Sequence, residues 1–203
     1  MFSNITSESV PMHFHGIKVT FLSPSISSMK KYKSWTDEIA PANTGYNSDY
    51  AYDIEKLKDV EFIEDRSVSD TSSISLLIEW VNKRLLFLGD SIPSDVLGSL
   101  NRLHYTKDNR LNVDLVKVSH HGSKYNTSTP LMKCLKCRKF LISTNGKIHG
   151  HPDKQALARI IDTQDSPELI FNYDVYKNIF TAEELSRGQF SVKEFKSRED
   201  III

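Results

Sequence analysis

Histidine and aspartate residues follow three apolar segments of this sequence. His120 and His121 come after LVKVS, Asp90 comes after LLFLG, and His151 comes shortly after FLIST. Imidazole and carboxylate groups in one place serve proton transfer or metal binding, because a carboxylate can bridge two cations and a neutral imidazole offers one directional nitrogen. The pattern therefore indicates one shared site for proton transfer or for metal ions.

Such a site requires a scaffold that brings distant segments of the chain together. Apolar runs rich in β-branched and aromatic residues predict strands in GIKVTFLSP, SISLLIEWV, RLLFLGD, VDLVKVS, KFLIST and ELIFNY. Only Asn82 and Lys83 separate the second of these runs from the third, which predicts a hairpin. The later strands alternate with predicted helices, so we expect an α/β layered sandwich with polar groups at the carboxyl ends of its strands.

The predicted helices follow from apolar stripes and from start signals. PSDVLGSLNRLHY is expected to be capped by Ser91 or Ser94, and STPLMKCLKC to begin at Ser128 or Thr129. HPDKQALARIID supplies a third helix, and SISSMKKYKSWTDEIA a polar one. Residues 42 to 70 lack periodicity, so we expect a long loop there with at most one helical turn, near DIEKLKDV.

Composition sets the broad class of the protein. The 203 residues fit a single domain, 1–203, with a partly irregular segment 1–70, a core 72–161 and a C-terminal strand and helix extension 162–203. The 26 basic residues balance the 26 acidic ones, so no overall charge attracts nucleic acid or membrane. The basic clusters MKKYK and KCLKCRK are short. Two interpretations stay open for them, a nucleic-acid-binding surface and solvent-exposed helix faces. No secretory or membrane-spanning pattern is present, which predicts a cytoplasmic protein.

Cys134 and Cys137 are the two cysteines of the sequence. Their spacing suits half of a metal clip or a redox pair, but no second pair exists to complete a four-cysteine zinc site. We therefore expect two structural thiols near the end of a helix.

The segments SISLLIEWVNKRLLFLGDS, VDLVKVSHHGSKYNTSTP and FLISTNGKIHGHP resemble the second half of the metallo-β-lactamase fold. The similar branch includes the ComEC nuclease domain and the phosphorylcholine esterases, and the match runs from Ser72 to Ile161. The resemblance implies an αββα sandwich and a two-metal site for zinc or manganese. It also implies that Asp90 bridges the metals, that His120 or His121 is a ligand, and that His151 lies near the pocket.

The family's first half carries an H-x-H-x-D-H cluster of metal ligands, which this sequence lacks. The nearest string, HFHGIK, contains His13 and His15, which could chelate a metal if both face one side of a strand or could be plain edge-strand histidines. The fold is therefore expected to lack its N-terminal ligand-bearing half, and an apolar sheet face would then need a cover. The expected cover is a complementary N-terminal half or a second copy of the chain.

Counting the ligands leaves two hypotheses about function. Asp90 and one histidine are fewer than the three protein ligands usual for catalytic zinc. Three explanations are open: another polypeptide supplies the rest, the chain is a truncated remnant, or an unrecognised residue completes the site. The first hypothesis is a metal-dependent hydrolase of phosphodiesters or other esters, with Asp90 and His121 as catalytic metal ligands and His120, Ser123 and His151 contacting substrate. We choose His121 as the ligand because Gly122 permits the turn that would aim it inwards. The second is an inactive remnant or interaction module that binds no metal by itself.

Overall fold

The computed structural model describes residues 5–34, 48–65, 67–147 and 149–196. The described chain forms one large mixed sheet of eight strands, a separate pair of short strands, and helices. The strands are β1 (Met12–Phe14), β2 (Ile17–Ser23), β3 (Ser75–Trp80), β4 (Lys83–Phe87), β5 (Leu111–Asn112), β6 (Leu115–Lys117), β7 (Leu135–Lys136), β8 (Lys139–Ile142), β9 (Glu168–Phe171) and β10 (Ser191–Glu194). The α-helices are α1 (Ile26–Lys33), α2 (Ile54–Leu57), α3 (Val68–Thr71), α4 (Pro93–Arg102), α5 (Thr129–Lys133), α6 (Lys154–Thr163) and α7 (Ala182–Ser186).

The large sheet has the order β1-β2-β3-β4-β6-β8-β9-β10. Strands β1 to β4 pair antiparallel with one another, whereas β4, β6, β8, β9 and β10 pair in parallel and form a parallel half. The expected α/β class is confirmed, and so is the hairpin, in which Trp80 pairs with Lys83 across a tight turn. The β5–β7 pair and strand β10 had no clear signal in the sequence, because they are only two to four residues long.

One face of the sheet forms the core of the molecule. Register places Leu77, Leu86, Val116, Phe140 and Leu169 side by side across five strands, and each is at most 3% exposed. Helix α4 contacts α5, α5 contacts α6, and α6 contacts α2. Helix α4 also contacts β2. Burial of this continuous apolar layer is the main stabilising contribution of the fold.

The other face of the sheet, which we call the open face, is apolar but less covered. Its residues range from buried to half-buried at the centre of the sheet, and at one end they reach 52% exposure for Met12 and 57% for Trp80. Along the sheet the open face comprises Met12, Phe14, Ile17, Val19, Phe21, Leu76, Ile78, Trp80, Leu85, Phe87, Leu115, Leu141 and Ile170. The predicted apolar sheet face is therefore present in the described part of the chain.

Several local expectations can be compared with the structure. Ser128 caps α5 by accepting a hydrogen bond from the backbone N–H of Leu131, as predicted. The helical turn near DIEKLKDV is α2, capped by Asp53. The predicted caps of α4 are wrong, because Ile92 occupies the cap position and Pro93 begins the helix without a side-chain cap. Helix α3 was not predicted, and part of the predicted polar helix 25–40 lies outside the described residues.

Candidate functional site

The candidate site lies where β4, β6 and β8 end, at the carboxyl edge of the parallel half of the sheet. Gly89 follows β4 with a positive φ of 56°, and a Cβ at this position would lie 2.7 Å from the backbone oxygen of Ile74. The Gly89 carbonyl accepts a hydrogen bond from the backbone N–H of His120 at 2.9 Å. This contact joins the segment that carries Asp90 to the segment that carries the tandem histidines.

A network of serine hydroxyls holds the Asp90 loop. The backbone N–H of Asp90 donates to Ser73 Oγ at 2.9 Å, and the buried Ser91 hydroxyl contacts the hydroxyls of Ser23 and Ser75 at 2.5 and 2.8 Å. On the other side, the Asn126 side-chain amide donates to the Asp90 carbonyl at 3.2 Å. Buried hydroxyls that satisfy one another in this way hold the loop in place.

The tandem histidines occupy a turn with unusual backbone angles. His120 and His121 both have positive φ, 42° and 57°, and Gly122 follows with φ of 89°. A positive φ is unfavourable for a residue with a Cβ, and consecutive examples occur where surrounding contacts impose them. At Gly122 a Cβ would lie 2.6 Å from Pro152 Cβ, so glycine is required for the turn to pack against the HPD segment.

The turn sends the two imidazoles in different directions. His121 is exposed, and its Nδ1 donates to the backbone carbonyl of Ser143 at 2.5 Å, which leaves Nε2 as the free nitrogen. His120 is half-buried, and its Nδ1 lies 2.6 Å from Asp70 Oδ2 and 3.9 Å from Asp65 Oδ2. The structure thus places His120, and not His121, beside these two carboxylates, while the assignment of His121 as a ligand stays a prediction.

Asp65, Asp70 and His120 form a compact group, which we call the carboxylate–imidazole cluster. One ligand atom from each residue lies within 4.8 Å of the others, a geometry that could hold a metal ion. Burial tends to raise the pKa of Asp70, but the hydrogen bonds and charge that His120, Asp65 and Ser69 contribute together lower that pKa to about 2. Burial tends to lower the pKa of His120, but Asp70, Asp90 and Asp65 raise it overall. Burial and the Asp70 carboxylate raise the pKa of Asp65.

His151 lies close to the cluster, and its contact with substrate stays a prediction. The centroids of the His120 and His151 rings are 5.3 Å apart, and His151 Nδ1 lies 3.3 Å from Asp153 Oδ2. The hydroxyl of Tyr50 donates to the carbonyls of Gly150 and Pro152 and so holds the turn that carries His151. A carboxylate beside the Nδ1 of an imidazole orients the ring and favours Nε2 as its free nitrogen.

The other predicted site residues lie outside this group. Ser123 is only 2% exposed, and its hydroxyl accepts a hydrogen bond from the backbone N–H of Tyr125, so it shapes the turn, and its contact with substrate stays a prediction. His13 lies on the exposed edge strand β1, whereas His15 lies in the turn before β2 with φ of 49°. The two do not sit together on one strand, which favours the plain edge-strand alternative.

Sequence reasoning missed Asp65 and Asp70. Both belong to the stretch assigned to a long loop, and α3 has only four residues, so no periodicity drew attention to them. The available signal was local. Ser67 caps α3 by accepting from the backbone N–H of Asp70, and Asp65 Oδ1 accepts from the backbone N–H of Ser67 at 2.7 Å, a spacing typical of a helix start.

A surface cleft lies at the opposite, amino edge of the sheet. Its cations include Lys83 and Arg84, which already form ion pairs with Asp114 and Glu79 at 3.4 and 3.3 Å. The cysteines predicted to be structural are buried free thiols near this cleft. We place the candidate site at the carboxyl edge because the contacts of His120 with Asp70 and of His151 with Asp153 bring imidazoles and buried carboxylates together there.

Comparisons with known proteins identify no relative. No family model, no curated protein and no solved structure matches this chain. Within the described ranges, no helix has the length and apolar character needed to cross a bilayer.

Proposed function

We propose that this protein is a metal-dependent hydrolase that cleaves a phosphodiester or another ester, with a metallo-β-lactamase-like arrangement of its strands. The observation that carries the proposal is the meeting of His120, His121 and His151 with the Asp90 loop at one sheet edge. The three segments are separated by up to 61 residues, and each delivers its polar residues just past the end of an apolar strand. Two neighbouring carboxylates, Asp65 and Asp70, supply the negative charge that metal ions need.

The residues present fit a metal. The free Nε2 of His121 is a nitrogen of the kind that binds zinc or manganese. A bound divalent cation would lower the pKa of a water molecule and stabilise negative charge on an ester oxygen. Asp90 and His121 would hold it, as the resemblance implies.

The protein's own groups would perform the remaining tasks. Ser143 fixes the tautomer of His121 through its carbonyl, and Asp153 holds the His151 ring in place. His151 would then accept a hydrogen bond from substrate or water at Nε2, while Gly89 and the serine network keep Asp90 in position. Preorganised groups of this kind lower the barrier without rearranging during the reaction.

Hydrolysis of bis(p-nitrophenyl) phosphate and of p-nitrophenyl acetate, with added manganese or zinc, tests the proposal. We expect turnover with at least one metal, lost by more than 10²-fold in Asp90→Asn and His121→Asn. His104→Asn is a matched control, because His104 lies at the end of α4 outside the site. Absence of turnover with any metal and both esters would refute hydrolysis, and equal activity of Asp90→Asn and wild type would refute the assigned role of Asp90.

The open face favours a second candidate function, an interaction module that pairs with a complementary N-terminal half or with itself. A sheet face this apolar is typical of an interface, and exposed Trp80 and Phe14 are residues enriched at binding surfaces. Lys117 also lies on this face, where burial lowers its pKa against the opposing effect of the nearby Asp90 carboxylate. Light scattering tests self-association, with Trp80→Glu expected to give monomers. A wild-type monomer that binds no hydrophobic dye would refute this second candidate.

A further inference from the structure

We propose that Asp65, Asp70 and His120 form the primary site for one divalent transition-metal cation, zinc or manganese. The proposal goes beyond hydrolysis, because a cation would bind there whether or not the protein cleaves an ester. It also implies that this chain completes a metal site by itself, with ligands from outside the segment 72–161 that resembles a known family.

The two carboxylates are arranged so that each presents one oxygen to the site. Asp65 Oδ1 accepts from the backbone N–H of Ser67 at 2.7 Å, and Asp70 Oδ1 accepts from the hydroxyl of Ser69 at 3.2 Å. The remaining oxygen of each carboxylate, Oδ2, is the one that faces His120 Nδ1. The local hydrogen bonds orient the ligands, as the groups around metal-bound carboxylates do.

The contact between Asp70 and His120 is the second observation. Asp70 Oδ2 and His120 Nδ1 form an ion pair at 2.6 Å, and Asp65 Oδ2 lies 3.9 Å from the same nitrogen. A protonated His120 balances only one of the two carboxylate charges that meet there. A divalent cation held by the three ligand atoms would balance both.

Backbone contacts hold the three residues in place before any ligand arrives. The His120 N–H donates to the Gly89 carbonyl at 2.9 Å, the Asp65 N–H donates to the Tyr125 carbonyl at 3.1 Å, and Asp70 is in the capped helix α3. Three protein ligands are the number usual for a catalytic zinc, with a position left for water. Two carboxylates and one imidazole suit manganese or zinc, since both metals accept oxygen and nitrogen ligands.

Manganese binding to the full chain, followed by electron paramagnetic resonance and with zinc as competitor, tests the site. We expect the first equivalent to bind with affinity at least tenfold lower in Asp65→Asn, Asp70→Asn and His120→Asn. Asp108→Asn and His104→Asn make the same chemical changes far from the site and should bind as wild type does. Asp90→Asn and His121→Asn should lower the affinity for this first equivalent less than the three cluster variants do, which separates this site from the ligands of the proposed hydrolase.

Because Asp70 is buried, its variant could fail to fold, so a measurement on the wild type accompanies the variants. Substoichiometric manganese should broaden the amide NMR signals of residues 65, 70 and 120 first. No binding, or first broadening elsewhere in the chain, would overturn the proposal. Loss of affinity only in Asp90→Asn and His121→Asn would also overturn it while leaving the hydrolase intact, whereas a bound metal without ester cleavage would refute the hydrolase alone.

Discussion

Replacing Gly89 by alanine should destabilise the protein more than the same change at another glycine with similar backbone angles. Gly188, which follows α7, has φ of 68°, and a Cβ there would meet no atom within 4 Å, whereas Gly89 has φ of 56° and a backbone oxygen 2.7 Å from the Cβ position. Both variants place a Cβ in the left-handed region, at a cost of about 1–2 kcal/mol, and both gain about 0.4–1 kcal/mol from a less flexible unfolded chain. Only Gly89→Ala adds overpacking.

The overpacking at Gly89 is directed against atoms that cannot easily move. The nearest is the Ile74 carbonyl oxygen, in the backbone directly before β3, and the next is Ser73 Oγ at 2.8 Å, which accepts the hydrogen bond from Asp90. Overpacking typically costs about 1–3 kcal/mol. The shared contributions cancel between the two variants, so the free energy of unfolding should be about 1–3 kcal/mol lower for Gly89→Ala than for Gly188→Ala.

Urea unfolding followed by far-ultraviolet circular dichroism measures this difference. With an m-value of about 2 kcal/mol/M, the midpoint of Gly89→Ala should lie about 0.5–1.5 M below that of Gly188→Ala. Equal midpoints with equal m-values would show that the segment Ser73–Ile74 gives way without cost. The close approach of Gly89 to this segment would then not explain why a glycine occupies position 89.

Three further predictions concern buried groups. Lys154→Met should lower the free energy of unfolding in urea by about 3–5 kcal/mol, because Lys154 and Glu184 form an ion pair at 2.9 Å with both side chains 1% exposed. Lys177→Met removes an exposed ion pair and should change that free energy little. Cys137 should not react with Ellman's reagent at pH 8 until the chain unfolds, since burial raises its pKa to about 11, and rapid native labelling would contradict this. In metal-free protein, the raised pKa of His120 should stabilise the fold fully below pH 6.5, and this stabilisation should be lost as the pH rises through the raised pKa. A pH series of urea midpoints should show the loss in wild type, and the same loss in His120→Asn would assign it to another group.

The sequence was sufficient to predict the main scaffold and the edge that carries the site. Strands β3, β4, β6, β8 and β9 are apolar on both faces, so their residue types alone indicate strands, and polar residues that follow such strands must lie at their ends. Glycine positions were also readable, since Gly122 after two histidines indicates a turn. These are local signals, and they depend on neighbours within a few residues.

The tertiary structure decided which groups meet. Asp70 and His120 are 50 residues apart, and Asp65 and Asp70 lie in a stretch without periodicity, so nothing near them in the chain announces the contact. The direction of each histidine also depended on long-range contacts, with the Gly89 carbonyl holding the backbone of His120 and the Ser143 carbonyl holding the ring of His121. A left-handed turn does not alternate its side chains as a strand does, and its orientation is set by the segments packed around it.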